Sequence, residues 1–166
     1  MSTKFNIEEV FEIALQIERN GAKFYKKAAK QVTDQSYKFL FLDLVDMELK
    51  HEKIFAHLKE KIVGQQQLLS RLIDPNASAA SYLQSFADGY IFNLNDDPSH
   101  FLNDQRSIEE ILNYAIGLEK DSVVFYYGLQ DLVPAEFGKD KINTIIKEEL
   151  KHIFFLNDKI KKLNTL

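Results

Sequence analysis

The feature that most limits how this 166-residue chain can fold is a Glu-x-x-His pair that occurs twice, each time inside an apolar helical stripe. Glu48-Leu49-Lys50-His51 returns as Glu149-Leu150-Lys151-His152, an offset of 101 residues. At that same offset Glu18-Arg19-Asn20-Gly21-Ala22-Lys23-Phe24-Tyr25 meets Glu119-Lys120-Asp121-Ser122-Val123-Val124-Phe125-Tyr126, and Ala14 meets Ala115. No gap is needed. Independent surface charges have no reason to agree in this way, so the two halves read as copies of one helix pair.

The stripes are those of long amphipathic helices. Asn6 with Glu9 reads as a capping box that opens Ile7, Val10, Phe11, Ala14, Ile17, Gly21, Phe24 and Ala28. A turn at 31–35, with Thr33 or Asp34 as cap, leads into Tyr37, Leu40, Phe41, Leu44, Phe55, Leu58 and Ile62, with Gly64 placed as a C′ residue. Ser107 with Glu110 is a second capping box, opening Ile108, Ile111, Leu112, Ala115, Leu118, Phe125, Leu129 and Val133. After Pro134 and Gly138 the last stripe is Ile142, Ile145, Leu156, Ile160 and Leu163. Both intra-pair turns are short, which makes each pair antiparallel.

One domain over 1–166 is expected: a helix pair at about 7–63, a crossover at about 64–106 and a second pair at about 107–164. The crossover holds Pro75, Pro98 and the Asn93-Leu94-Asn95-Asp96-Asp97 run, with a short helix expected over Ser78–Asp88. Four helices with one long crossover between the second and third is the connectivity of an all-α, ferritin-like four-helix bundle.

Composition removes several functions. The chain has no Cys, which excludes a disulfide framework, Cys-ligated zinc, an iron–sulfur cluster and a thiol nucleophile. A net charge of −4 without a basic cluster argues against nucleic acid as a partner. No apolar run approaches a membrane span and no secretory signal is visible, so a soluble cytoplasmic protein is expected.

Glu18, Glu48, His51, Glu119, Glu149 and His152 interrupt what would otherwise be continuous core faces. Thr33 lies midway between Glu18 and Glu48, and Pro134 midway between Glu119 and Glu149, so all six converge at one level of the bundle. Four buried carboxylates cost several kcal/mol each unless compensated, and no Lys or Arg lies on the stripes at that level. Two divalent cations neutralise them. Carboxylate with imidazole suits iron or manganese better than copper, and zinc is compatible. One Glu from each of two helices plus a Glu-x-x-His from each of the other two is the ligand set of di-iron and di-manganese bundles. Tyr25 and Tyr126, seven residues after Glu18 and Glu119, are either ordinary core tyrosines or donors to the ligating carboxylates. Glu148 is a candidate acceptor for a ligand histidine, and its repeat mate Met47 makes any such arrangement asymmetric. His57 reads as a residue of a solvated face and His100 as a lone loop histidine of the crossover; neither has a matching carboxylate at that level.

These residues resemble the rubrerythrin-type, ferritin-like di-iron proteins over the four core helices. The resemblance implies that the six Glu and His residues hold two iron ions, with Glu48 and Glu149 as bridges and Tyr25 and Tyr126 at the family's tyrosine positions. It implies reaction of the reduced pair with hydrogen peroxide or dioxygen, and a homo-oligomer of two or more chains. Rubrerythrins proper also carry a rubredoxin domain with four Cys; none is present here, so a separate electron donor is implied. Their additional glutamate, which belongs to redox-dependent metal movement, is replaced by Ser122. The haem-ligating Met of bacterioferritins is replaced by Leu49, so no haem is expected. Ferroxidation with iron storage and a di-manganese catalase use the same six ligands and stay open.

Overall fold

Three of the four long helices start where a side chain accepts from a free N–H of the first turn, and the fourth starts at a glycine without such a cap. The computed structural model describes residues 6–74, 76, 78–87 and 96–165. Helix α1 runs Ile7–Gln31, capped by Asn6, whose side chain accepts from the N–H of Glu8 rather than Glu9. Helix α2 runs Gln35–Val63 with Asp34 as cap, accepting from Ser36. Helix α5, Ile108–Leu132, has the complete Ser107/Glu110 capping box. Helix α6 runs Lys139–Leu163. Two shorter helices, α3 at Gln66–Leu72 and α4 at Ser78–Ala87, and a 3-10 turn at Pro98–Asn103 lie in the crossover. There is no strand among the described residues.

The repeat is visible in the element boundaries. Helices α1 and α5 begin and end at equivalent positions under the 101-residue offset. The second connection differs because a 3-10 turn, Ala135–Phe137, takes the place of the first turn of α2. The spacing from Glu119 to Glu149 is therefore preserved although α6 starts later.

The apolar residues form two clusters, one at each end of the bundle. One holds Val10, Phe11 and Ala14 of α1, Phe55, Leu58 and Ile62 of α2, Phe125 and Leu129 of α5, and Ile142 and Ile145 of α6. The other holds Phe24 and Ala28, Phe41 and Leu44, Leu112 and Ala115, and Leu156 from the same four helices. The sequence order of these residues makes α1 antiparallel to α2 and α5, and α6 antiparallel to α2 and α5. A ferritin-like arrangement results. Helix α2 ends beside the first cluster and α5 begins beside the second, so the crossover must traverse the bundle. It does so through Leu69 and Ile73, then Leu83 and Phe86 of α4 in the first cluster, and on to Leu102 in the second.

Two local expectations are corrected. Gly64 ends α2 at φ −66°, a right-handed conformation, because the chain turns directly into α3 instead of leaving through a left-handed cap. His100 stands in the 3-10 turn, exposed, rather than in an irregular loop. The short crossover helix is present, but Asp88, Pro75 and Asn93–Asn95 lie outside the described residues.

The left-handed residue is Gly138, at φ +102°, where a Cβ would stand 2.3 Å from Leu58 Cδ2 in the core. Both the backbone and the packing require glycine there. Gly138→Ala should destabilise the protein by at least about 1–2 kcal/mol, read as a lower denaturation midpoint with unchanged helical circular dichroism; an unchanged midpoint would contradict this account.

Candidate metal centre

Between the two apolar clusters lies a layer of six polar side chains, none more than 5% exposed: Glu18, Glu48, His51, Glu119, Glu149 and His152. One comes from α1, two from α2, one from α5 and two from α6. Every residue expected at this level from the repeat is there. His57 and His100 are exposed and take no part.

The six divide into two overlapping groups. Glu18, Glu48, His51 and Glu149 form one, and Glu48, Glu119, Glu149 and His152 the other; in each, one ligand atom per residue lies within 4.8 Å of all the rest. Glu48 and Glu149 belong to both. His51 Nδ1 lies 2.9 Å from Glu149 Oε1 and 3.5 Å from Glu18 Oε2. His152 Nδ1 lies 2.8 Å from Glu149 Oε2 and 3.5 Å from Glu119 Oε2. The rings stack with centroids 5.9 Å apart.

These approaches do not satisfy the polar atoms. Glu18 Oε2, Glu48 Oε1, both oxygens of Glu149 and Nδ1 of both histidines are buried without a hydrogen-bond partner. Buried polar atoms are nearly always paired, and six unpaired lone-pair donors aimed at two common points are what a pair of cations satisfies. The donor set fits two divalent ions of the iron or manganese kind.

The outer contacts hold the ligands in place. Tyr25 donates to Glu119 Oε1 and Tyr126 donates to Glu18 Oε1, so each tyrosine crosses to the carboxylate of the other half. Of the two roles open to these residues, the donor role is the one observed. His51 Nε2 lies 2.8 Å from Glu148 Oε2. Lys50 Nζ in turn lies 3.3 Å from Glu148 Oε1.

Gly21 was legible only as a stripe residue, yet it has a steric role. A Cβ at this position would stand 2.8 Å from Glu48 Oε2, so the absent side chain makes room for the Glu48 carboxylate. Beside it a cleft leads inward between α1 and α5, lined by Ile17, Gly21, Glu48, Glu119 and Ser122, with Phe86 of α4 and Pro98 of the 3-10 turn over it. Its volume is about 40 Å³, room for a few water-sized molecules. The crossover therefore roofs the polar layer, a role that its irregular sequence did not reveal.

Without metal, protons supply the neutralising charge. Burial, reinforced by the charge on Glu149, pushes Glu18 and Glu48 well above the ordinary carboxylate range and Glu119 up to about 7. Burial also opposes ionisation of Glu149, but the two flanking histidines outweigh it and hold this group down at about 2. For the imidazoles burial acts downward, and the adjacent carboxylates overcome it, carrying His51 up to about 9 and His152 up to about 10.

Comparison with known proteins agrees with this geometry. Residues 1–73 match the family model described as rubrerythrin. A search of curated proteins finds no match. Among solved structures, a Thermotoga maritima protein described as a ferritin-like diiron-carboxylate protein superposes with a TM-score of 0.70 at 22% identity, covering 97% of this chain and 98% of its own. The chain has the ferritin-like fold. Its core carries a buried Glu/His cluster suited to metal, and no rubredoxin domain is evident in it. Among the described residues no helix is long and apolar enough to cross a membrane.

Groups whose pKa is raised by folding stabilise the folded state at low pH and lose that contribution as pH rises through the folded value. For the histidines the window is from 6.5 to about 9 and about 10, and for Glu119 from 4.5 to about 7. Glu149 acts oppositely, its contribution being lost as pH falls from 4.5 towards about 2. Chelator-treated protein should thus melt at progressively lower temperature from pH 6 to 10. Added Mn(II) should raise the melting temperature more at pH 8 than at pH 6, because ligation needs these groups deprotonated; a flat metal-free profile would refute the assignment. Separately, Gly21→Ala should leave folding intact, Ala being the better helix former by roughly 0.5–1 kcal/mol, while weakening Mn(II) binding on the order of tenfold or more through displacement of Glu48, as a calorimetric titration would show.

Proposed function

We propose that this protein is a di-iron carboxylate oxidoreductase of rubrerythrin type, reducing hydrogen peroxide to water with electrons from a separate donor. The observation that carries the reading is the pair of overlapping ligand groups sharing Glu48 and Glu149. The match of residues 1–73 to the rubrerythrin model supports a rubrerythrin-type reading, for which peroxide or dioxygen is the oxidant. Likeness to a structure described as diiron-carboxylate supports iron as the metal.

Glu18, Glu48, His51 and Glu149 would hold one ion, and Glu48, Glu119, Glu149 and His152 the other. When bound, the reduced iron pair supplies two electrons and Lewis acidity at adjacent points. The reaction takes up two electrons and two protons per peroxide and yields two waters, the donor restoring the electrons. The chain's own residues do the rest. The cleft beside Gly21 and Ser122 admits a substrate of two oxygen atoms and excludes bulky reductants. Tyr25 and Tyr126 fix Glu119 and Glu18 by donating to one oxygen of each, leaving the other oxygen directed inward. The apolar clusters above and below exclude bulk water from the layer and preserve the strength of its electrostatic interactions.

Iron analysis of protein prepared with iron under reductant should give about two ions per chain, absent from a Glu48→Ala/Glu149→Ala variant. Stopped-flow oxidation of the Fe(II) form should be much faster with peroxide than with oxygen. Equal or slower oxidation by peroxide would direct attention to ferroxidation, and oxygen release from peroxide without a reductant would indicate catalase chemistry.

A further inference from the structure

The two halves of the polar layer match in every ligand but not in what stands behind the histidines. His51 Nε2 is 2.8 Å from Glu148 Oε2, and Glu148 is steadied by Lys50. His152 Nε2 is buried with no hydrogen-bond partner. The repeat explains the difference: the equivalent of Lys50 is Lys151, but the equivalent of Glu148 is Met47, whose thioether is at best a weak acceptor. Both histidines present Nδ1 to the ligand groups, so each must carry its proton on Nε2 when it ligates. A carboxylate receiving that proton fixes the tautomer, holds the ring and makes the ligand more basic. His152 must ligate while leaving a buried N–H unpaired.

From this asymmetry we propose that the two cation positions are filled in order, the Glu18/His51 position first, with Glu148 as the positioning residue that sets the difference. The proposal rests on the reading of the layer as a two-metal centre. It concerns this chain's departure from its own internal symmetry, and the missing acceptor at Met47 is its signature.

The test is titration with Co(II), followed by calorimetry and by visible absorption, on the full chain and four variants. Wild type should bind two ions in separate steps, the first on the order of ten- to a hundredfold tighter. Glu148→Met should weaken the first step by about that factor and merge the two, while Glu148→Gln, which retains an acceptor, should fall between. Met47→Glu should strengthen the second step about tenfold, merging the two from the other side; a gain of this kind cannot come from damage to the fold. Two equal steps in wild type, or a ratio unmoved in both Glu148→Met and Met47→Glu, would overturn the ordering while leaving the metal centre standing. Co(II) uptake no greater than that of a Glu18→Ala/Glu119→Ala variant would remove the metal centre itself, and the ordering with it.

Discussion

Everything in this bundle is arranged around the electrostatic cost of placing four carboxylates and two imidazoles in the middle of an apolar core. Such a layer is tolerable only if its charge is neutralised locally. Among the described residues no Lys or Arg is buried in that layer, so neutralisation falls to protons or to divalent ions. The same requirement accounts for the split core: the apolar residues pack as two clusters, with the polar layer between them. It also accounts for the tyrosines, whose hydroxyls each donate to one carboxylate oxygen of the layer.

Positioning of the layer depends on length rather than on local conformation. Each hairpin places its two glutamates at equal distances from the turn, and antiparallel packing brings them level. The second hairpin contains a 3-10 turn and a left-handed glycine that the first lacks, yet the register survives because Ala135–Phe137 occupies the place of a helical turn. The crossover has a different task. By running along the bundle it lets the second hairpin enter from the opposite end, and on the way it covers the cleft that leads to Glu48.

The four long helices and all six candidate ligands could be read from the sequence because both are periodic. Apolar stripes fix faces, and a constant offset fixes levels. What periodicity does not encode is which neighbour lies across the bundle. The spacing of Tyr25 from Glu18 pointed to a carboxylate without revealing that the partner is Glu119 of the other half. Glu148 could be named as an acceptor, but its pairing with His51 depends on the α2–α6 contact. Gly64 carried the residue type of a left-handed cap and is right-handed, since the next helix begins two residues later. Gly138 takes the left-handed role at the end of the 3-10 turn, where its missing side chain also leaves room for Leu58. The roof formed by Phe86 and Pro98 lay beyond reach, as irregular chain carries no repeat to align.

The crossed tyrosines bear on how such a chain could arise. A single hairpin of the α1–α2 kind contributes to the layer two glutamates, Glu18 and Glu48, with His51 and Tyr25, which is half of the cluster. Its tyrosine reaches a glutamate that it does not itself possess. Two such hairpins about a twofold axis would exchange hydroxyls and regenerate the whole layer. With both copies in one chain, nothing requires them to be identical. Once covalently linked, the halves were free to diverge, and Met47 opposite Glu148 is the mark of that freedom at the edge of the polar layer.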